Sequence, residues 1–448
     1  MQENIPTDSA PAVPTLKEAF WYWLKLGLIS FGGPAGQIAI MHTDLVESKR
    51  WISEKRFLHA LNYCMILPGP EAQQLATYIG WLMHKTRGGL IAGGLFVLPS
   101  LLILMALSTI YMRFGSTPAV AGVLYGIKPV VVAIVLLAAY RIGSRALKNK
   151  ALWTIAFASF LAITLLGLPF PLIVISAALI GYLGNLYAPK LFSGSGTHKG
   201  VDKHFGKAVI DDDTPTPIHA HFSWRGLVKF LLVGIMIWLL GMVLLNTLYG
   251  WSAVYTQMAW FFTKAALLTF GGAYAVLPYV YQGAVTHYSW LTPTQMMDGL
   301  ALGETTPGPL IMVVAFVGFV GGWSHAAAYN PMVSAMLAAC IVTFFTFLPS
   351  FIFIFMGAPF IESTKNNLKL NAPLTAITAA VVGVIAALAL FFALQVFWPN
   401  GFLTKFTQID WLAMLAAALG FIALFKFKVS TIRLIGVFAL FGLLHSLL

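Results

Sequence analysis

The chain has 448 residues, of which 59% are hydrophobic and only 9% charged. A soluble domain carries roughly 25% charged residues, so this composition lacks a polar coat and excludes an ordinary water-soluble globule. The net charge of +12 sits mainly in short connections between apolar stretches, as the positive-inside rule expects, and implies no nucleic-acid partner. Apolar stretches long enough to cross about 30 Å of hydrocarbon recur from Trp21 to Leu448. The expected fold class is an all-α polytopic membrane protein whose first partner is the lipid bilayer.

In chain order, residues 1–16 (MQENIPTDSAPAVPTL) read as a polar, disordered tail without the basic start and apolar core of a signal peptide. Membrane segments are expected at 19–40, 57–83, 88–112, 117–140, 151–168 and 169–188. Residues 190–223 are the one long polar interruption and read as a linker. Its four histidines and Asp211, Asp212 and Asp213 lack the spacing of a metal site, and no cofactor is implied. Further segments are expected at 225–249, 258–285, 296–322, 331–360, 373–398, 408–425 and 430–447. Cys64 and Cys340 are the only cysteines, so no disulfide framework is implied.

The two halves repeat. A shift of 239 carries Lys25 onto Lys264, Phe31-Gly32-Gly33 onto Phe270-Gly271-Gly272, Trp51 onto Trp290 and Pro68-Gly69-Pro70 onto Pro307-Gly308-Pro309. Leu98-Pro99-Ser100 matches Leu348-Pro349-Ser350 at a shift of 250. The domains are therefore a first repeat at 17–189, the linker at 190–223 and a second repeat at 224–448. The second opens with one extra helix, 225–249, which would invert it relative to the first, the plan of many secondary transporters.

Charge agrees with inversion. Residues 41–56 hold Lys49, Arg50, Lys55 and Arg56, whereas 286–295 hold no Lys or Arg; residues 141–150 and the linker are also basic. If the FGG and PGP segments dip in and return as re-entrant hairpins, the basic loop, the linker and the N-terminus all lie in the cytoplasm.

The breaks are the candidate functional elements. Gly32, Gly33 and Pro34, and Pro68, Gly69 and Pro70, interrupt apolar helices, as do Gly271, Gly272, Pro307, Gly308 and Pro309. A helix restarting at such a break points free N–H groups and a positive dipole end at it, which suits an anion. A packing kink is the structural alternative, and pairing of the breaks across the repeat favours binding. Gln73, Gln74, Thr305 and Thr306 add polar contacts. Lys25 and Lys264 either snorkel or line an electropositive path. Glu71 and Glu304 are candidates for proton or ion coupling, although Glu71 could simply cap a helix dipole. His59 and Asp298 share a repeat position and could pair. No H-E-x-x-H, G-x-S-x-G or Walker loop occurs, so an enzyme is not expected.

FGGP at 31–34, PGPEAQQLATYIGW at 68–81, RGGLIAGGLFVLPS at 87–100 and the second copies FGGA and TPGP closely resemble the two-domain chromate ion transporter family over residues 17–447. The resemblance implies efflux of chromate, the sulfate-like oxyanion, across the bacterial inner membrane. A sulfate or other oxyanion transporter, or a channel, is the alternative, and dimerisation is left open. The second copy departs at Ala273, where the first has Pro34. A tetrahedral dianion presents only acceptor oxygens, so it calls for backbone N–H groups, hydroxyls and a lysine such as Lys25 or Lys264 rather than cysteines or a metal. Moving two negative charges out through an inside-negative potential gains about 4.6 kcal/mol per 100 mV, so export can run on potential alone, a proton gradient, or both.

Overall fold

The computed structural model describes residues 11–31, 33–192, 205–215, 217–270, 272–325, 329–363, 371–399 and 409–447. Residues 1–10 of the expected tail lie outside the described residues. Among the described residues the secondary structure is helical, apart from one bridge between Ile52 and Ile210. The first half comprises α1 (Leu16–Ile29), α2 (Gly33–His42), α3 (Glu54–Cys64), α4 (Glu71–Phe114), α5 (Pro118–Ala146), α6 (Lys150–Thr164), α7 (Phe170–Tyr187) and the single turn α8 (Pro189–Phe192). After the linker come α9 (Trp224–Tyr249), α10 (Val254–Leu267), α11 (Ala273–Tyr281), α12 (Pro293–Thr305), α13 (Val313–His325), α14 (Pro331–Ser363), α15 (Asn371–Phe397), α16 (Trp411–Phe425) and α17 (Thr431–Leu447). Among the described residues six helices are long and apolar enough to cross a membrane, and the chain is an all-α polytopic membrane protein.

Local sequence sets many of the starts. Thr15 and Glu18 form a capping box on α1, and Thr292 and Gln295 do the same on α12. Ser53, Asn149, Ser223 and Asp410 accept backbone N–H groups at the starts of α3, α6, α9 and α16. Pro118 and Pro293 stand where a helix has no N–H to lose.

The two halves follow one plan in fine detail. After α2 a π-helical turn, Thr43–Ser48, closes with Lys49 N–H donating to Asp44 O at 2.8 Å; after α11 its equivalent, Gln282–His287, closes with Tyr288 N–H on Gly283 O at 2.8 Å. Arg50 and Ser289, one shift apart, both take positive φ, 48° and 53°. α4 is interrupted at His84 and Lys85, where φ and ψ leave the helical range. Its two parts correspond to the separate helices α13 and α14.

The chain after each FGG break folds back onto the helix that precedes it. α1 spans only about 21 Å at 1.5 Å per residue, too short to cross. The chain beyond α2 comes back to it: the Trp51 ring packs on Tyr22 with centroids 5.1 Å apart. In the second half Trp290 packs on Phe261 at 5.7 Å, one shift away. The second hairpin, α3 and the first part of α4, also returns, since His84 Nε2 lies 2.8 Å from Pro14 O ahead of α1. The linker closes the same face. Ser53 donates to Asp212 at 2.6 Å, Arg56 to Asp211 O and Thr214 O, and His219 to Trp81 O at 3.0 Å. Burial lowers the pKa of His219.

α9, about 39 Å long, then carries the chain to the other side. There the Tyr249 hydroxyl meets that of Tyr329 at 3.0 Å, and its ring meets Tyr255 near the start of α10.

The halves interlock. α5 packs against α16 and α17 of the other half, and α15 against α6 and α7. Gly126 lies on Phe438 and Gly442, and Gly383 on the Ala156 backbone, approaches that a side chain would prevent. Polar clamps join the halves at both ends. Arg56 in α3 pairs with Glu362 in α14 at 2.9 Å, and Tyr78 donates to the same carboxylate at 2.5 Å. Far from it, Tyr111 in α4 donates to Asp298 in α12 at 2.9 Å, and Lys128 Nζ in α5 stands 3.8 Å from the same carboxylate. The expected pairing of Asp298 with His59 is thereby corrected: His59 lies beside Arg56 and Glu362, in the clamp at the opposite face. Two residues at one repeat position thus take part in separate clamps.

The clamp at Asp298 gives a stability test. Lys128→Met leaves a carboxylate that is 3% exposed facing no cation, and the expected loss is about 3 kcal/mol or more. Adding Asp298→Leu removes the stranded charge and should restore most of it, read as a double-mutant cycle of melting temperatures in detergent. Independent, additive effects would exclude the pairing.

Candidate anion site at the helix breaks

The four breaks meet in the middle of the bundle, and they meet across the halves. Gly69 N–H of the first PGP donates to Thr269 O, just ahead of the second FGG, at 2.8 Å. Gly308 N–H of the second PGP donates to Ser30 O, just ahead of the first FGG, at 2.8 Å. Ser30 and Thr269 are one repeat shift apart. A Pro-Gly-Pro turn has a single N–H among its three residues, and in each copy that donor is satisfied by the other half. The motif thus leaves little unpaired backbone where hydrocarbon offers no partner.

The PGP turns are tightly enclosed. A Cβ built at Gly69 would meet Ser350 Oγ at 2.5 Å and Gln74 Nε2 at 2.6 Å, and one at Gly308 would meet Ser100 Cβ at 2.7 Å. Both glycines hold φ of +129° and +109°, a region essentially reserved for glycine. Ser100 and Ser350 follow Pro99 and Pro349 inside α4 and α14. Each LPS motif therefore sits against the PGP turn of the opposite half, a partnership that no spacing within one repeat announces.

The FGG turns differ. Gly32 and Gly271 lie outside the described residues. Gly33 and Gly272 have positive φ of 71° and 96°, and a Cβ at either would meet nothing within 4 Å. Here, beside the starts of α2 and α11, there is open space. Gly272 supplies no side-chain cap to α11, so the N–H groups of its first turn have no capping side chain. The first turn of α4, after Pro70, has no side-chain cap either.

The side chains around the breaks make the halves unequal. Gln37 in α2 is 1% exposed and donates from Nε2 to Gly308 O at 2.5 Å and Ser30 O at 3.3 Å. Gln74 donates to Pro68 O at 2.8 Å, and Gln73 to Thr77 Oγ1 at 3.1 Å. Their Oε1 atoms and Ser30 Oγ are buried without a hydrogen-bond partner. One repeat shift carries Gln37, Gln73 and Gln74 onto Val276, Met312 and Val313, so the second half is apolar at the same places. There Tyr274, in the first turn of α11, donates to Glu304 at 2.5 Å.

The sequence-based candidates thus divide. Gly33, Pro34, Pro68, Gly69, Pro70, Gln73, Gln74, Gly272, Pro307, Gly308 and Pro309 lie in or beside the meeting breaks, with Glu71 opening α4 and Glu304 flanking the second PGP. Thr305 and Thr306 both turn their hydroxyls back onto Leu302 O in α12. Lys25 is exposed on α1, and Lys264 lies over the Trp260 ring at 5.4 Å, so the fold does not gather the lysines at the breaks. Sequence reasoning passed over Ser30, Gln37, Thr269, Ser100 and Ser350. A lone glutamine in the apolar run AGQIAI was the available signal for Gln37.

Alanine separates the two kinds of glycine. Gly33→Ala adds about 1–2 kcal/mol of left-handed strain into open space and should leave a folded, monodisperse protein. Gly69→Ala and Gly308→Ala combine strain with collision against the opposite half and should lower the melting temperature far more. Thermal unfolding followed by size-exclusion chromatography reads the difference; equal losses at all three sites would refute it.

The profile of the chromate transporter family matches residues 17–182 and 256–443, taking in the FGG, PGP and LPS motifs of both halves. A chromate transport protein of Cupriavidus metallidurans is 30% identical over 372 residues, covering 83% of this chain and 81% of its own length. One of Pseudomonas aeruginosa is 31% identical over 392 residues, 85% of this chain and 82% of its own. An uncharacterized transporter of Bacillus subtilis is 31% identical over 129 residues, 29% of this chain but 72% of its own length. No solved structure matches the chain. With both halves matched in one alignment each, this chain belongs to the chromate transporter family.

Proposed function

We propose that the chain is a secondary transporter that exports chromate, or an oxyanion like it, across the bacterial inner membrane by alternating access, and that it is not an enzyme. The observation that carries the reading is the meeting of the breaks, where Gly69 bonds to Thr269 O and Gly308 to Ser30 O. In this reading the halves have opposite orientations and hinge on one central layer, beside which lie open space and the first turns of restarted helices. Such a layer suits an oxyanion through N–H groups and a dipole end, and the substrate class is that named for the similar proteins of Cupriavidus metallidurans and Pseudomonas aeruginosa.

The clamps suit the same cycle. Arg56–Glu362 and Asp298 with Lys128 and Tyr111 each tie one half to the other, at opposite faces. Opening toward either face needs one clamp to part while the other holds. The linker and N-terminus are assigned to the cytoplasm, because the basic residues Lys49, Arg50, Lys55 and Arg56 share their face. Outward movement of an anion is then driven by the potential, at about 2.3 kcal/mol per charge per 100 mV. Glu71 and Glu304 are the acids nearest the breaks and the candidates for proton coupling.

Everted membrane vesicles test the reading. Chromate should accumulate when the lumen is made positive, and the limit should rise roughly fifty-fold per charge per 100 mV. Glu71→Gln should slow uptake and, if Glu71 carries the proton, flatten its pH dependence. Vesicles that take up no chromate under any imposed potential or proton gradient would exclude export.

A further inference from the structure

Among the six long helices, α9 is the one least covered by the rest of the protein. Only 11% of its most apolar stretch is buried, against 67% for α5. Its small residues turn to α14, where Gly234 meets Ile352 and Gly241 meets Phe345. At the linker end of α9 lies a groove of about 610 Å³, lined by Trp224, Arg225, Val228, Lys229, Leu232 and Val233. These residues form two stripes of period four, Trp224-Val228-Leu232 and Arg225-Lys229-Val233, which an α-helix lays side by side along one face.

The groove is apolar except for its two cations. Arg225 and Lys229 are exposed, and α9 has no Asp or Glu along its whole length. Among the described residues neither cation forms a salt bridge. The helix start is already capped, Ser223 Oγ accepting from Gly226 N–H at 3.1 Å, so the charge of the groove is that of its side chains. About 39 Å of helix against about 30 Å of hydrocarbon leaves the first turn of α9 among the head groups. Helical side chains lean toward the N-terminus, which lifts the Lys229 ammonium from the second turn toward the level of Arg225. Leu232 and Val233 follow at the depth of acyl chains. Trp224 is 73% exposed, and its ring meets Phe222 at 5.3 Å, which in turn packs on Phe360 of α14 at 5.5 Å.

We propose that this groove is a binding site for an anionic phospholipid, whose phosphate sits between Arg225 and Lys229 while an acyl chain lies along Val228, Leu232 and Val233. Residues four apart on one helix face are about 6 Å apart along the axis, close enough to share one phosphodiester through charge-assisted hydrogen bonds. A zwitterionic head group brings its own ammonium to the same two cations and gains less. Free phosphate gains nothing from the apolar floor. A second copy of the chain fits poorly. A two-fold axis along the membrane normal would set α9 against α9 at equal depth, with Arg225 and Lys229 facing their own copies. The small residues that let membrane helices approach closely, Gly234 and Gly241, already face α14. The proposal needs only the membrane fold and stands apart from the export reading.

The test reconstitutes the full-length protein in vesicles of phosphatidylethanolamine containing some phosphatidylglycerol, with one lipid or the other carrying brominated acyl chains that quench tryptophan. The signal of Trp224 is the difference between the unaltered protein and Trp224→Phe. Each cation beside an anionic lipid is worth about fivefold, so phosphatidylglycerol should be favoured over phosphatidylethanolamine at Trp224 by about thirtyfold. Arg225→Gln combined with Lys229→Gln should bring the two lipids close to equality. Both side chains are exposed, so this variant should keep its melting temperature in detergent. Lys426→Gln combined with Lys428→Gln, in the turn between α16 and α17, should leave the preference at Trp224 intact. Equal quenching by both lipids in the unaltered protein, or a preference that survives the Arg225 and Lys229 changes, would overturn the proposal and leave the two cations as snorkelling residues. A preference lost as fully with the Lys426 and Lys428 changes would assign it to general surface charge instead. Displacement of phosphatidylglycerol by inorganic phosphate would give the cations to a soluble anion, and Trp224 unquenched by either lipid would give the groove to a second copy; each overturns the lipid site.

Discussion

Hydrocarbon supplies no hydrogen bonds, so a helix interrupted at membrane depth must find partners for every freed N–H and C=O within the protein. This chain interrupts its helices at four central points and solves the problem reciprocally. The donor of each PGP turn is bonded to the carbonyl ahead of the other half's FGG turn, through Gly69 and Thr269 on one side and Gly308 and Ser30 on the other. The requirement explains several choices at once. Proline on both sides of the glycine removes two donors that would otherwise need partners. Glycine itself permits the backbone conformation at φ of +129° and +109° and the close approach of Ser350 and Ser100. Those serines occur where α4 and α14 pass the turns of the opposite half, which gives the repeated LPS motif its place.

Within this symmetric frame the chemistry is lopsided. The first half keeps Ser30, Gln37, Gln73 and Gln74 at the breaks, and the second replaces the glutamines with Val276, Met312 and Val313. The second half contributes instead a carboxylate, Glu304, bonded to Tyr274. A two-fold arrangement of backbone thus carries two different sets of side chains, one with spare acceptors and one with a resident acid.

Much of the frame was legible in the sequence. The all-α class, the extra helix α9 and the breaks at FGG and PGP follow from apolar length, from glycine and proline, and from a register of 239 that survives in the π-helical turns at Thr43–Ser48 and Gln282–His287. The site was less legible, for a physical reason. Its contacts join residues more than two hundred positions apart, such as Gln37 with Gly308 and Gly69 with Thr269, and local pattern carries no trace of such pairings. FGG and PGP look alike as helix breakers, yet one borders open space and the other is packed shut. The lysines attracted notice because a charge at membrane depth is costly, but Lys25 is exposed on the outer side of α1 and Lys264 rests on an indole. His59 and Asp298 were set side by side by arithmetic on the repeat, and the fold places them in separate clamps.

The interlocking of the terminal helices bears on how the chain is made. α5 lies against α16 and α17, which are synthesised long after it, and α6 and α7 lie against α15. The first half therefore waits in the bilayer until α17 is made, its small-residue surface at Gly122 and Gly126 bare of Gly442 and Ser446. A product ending before α17 would expose that surface to any neighbour able to cover it. A separately encoded half would face the same need, and would reach a finished form only by finding a second polypeptide to supply what its own C-terminal helices cannot.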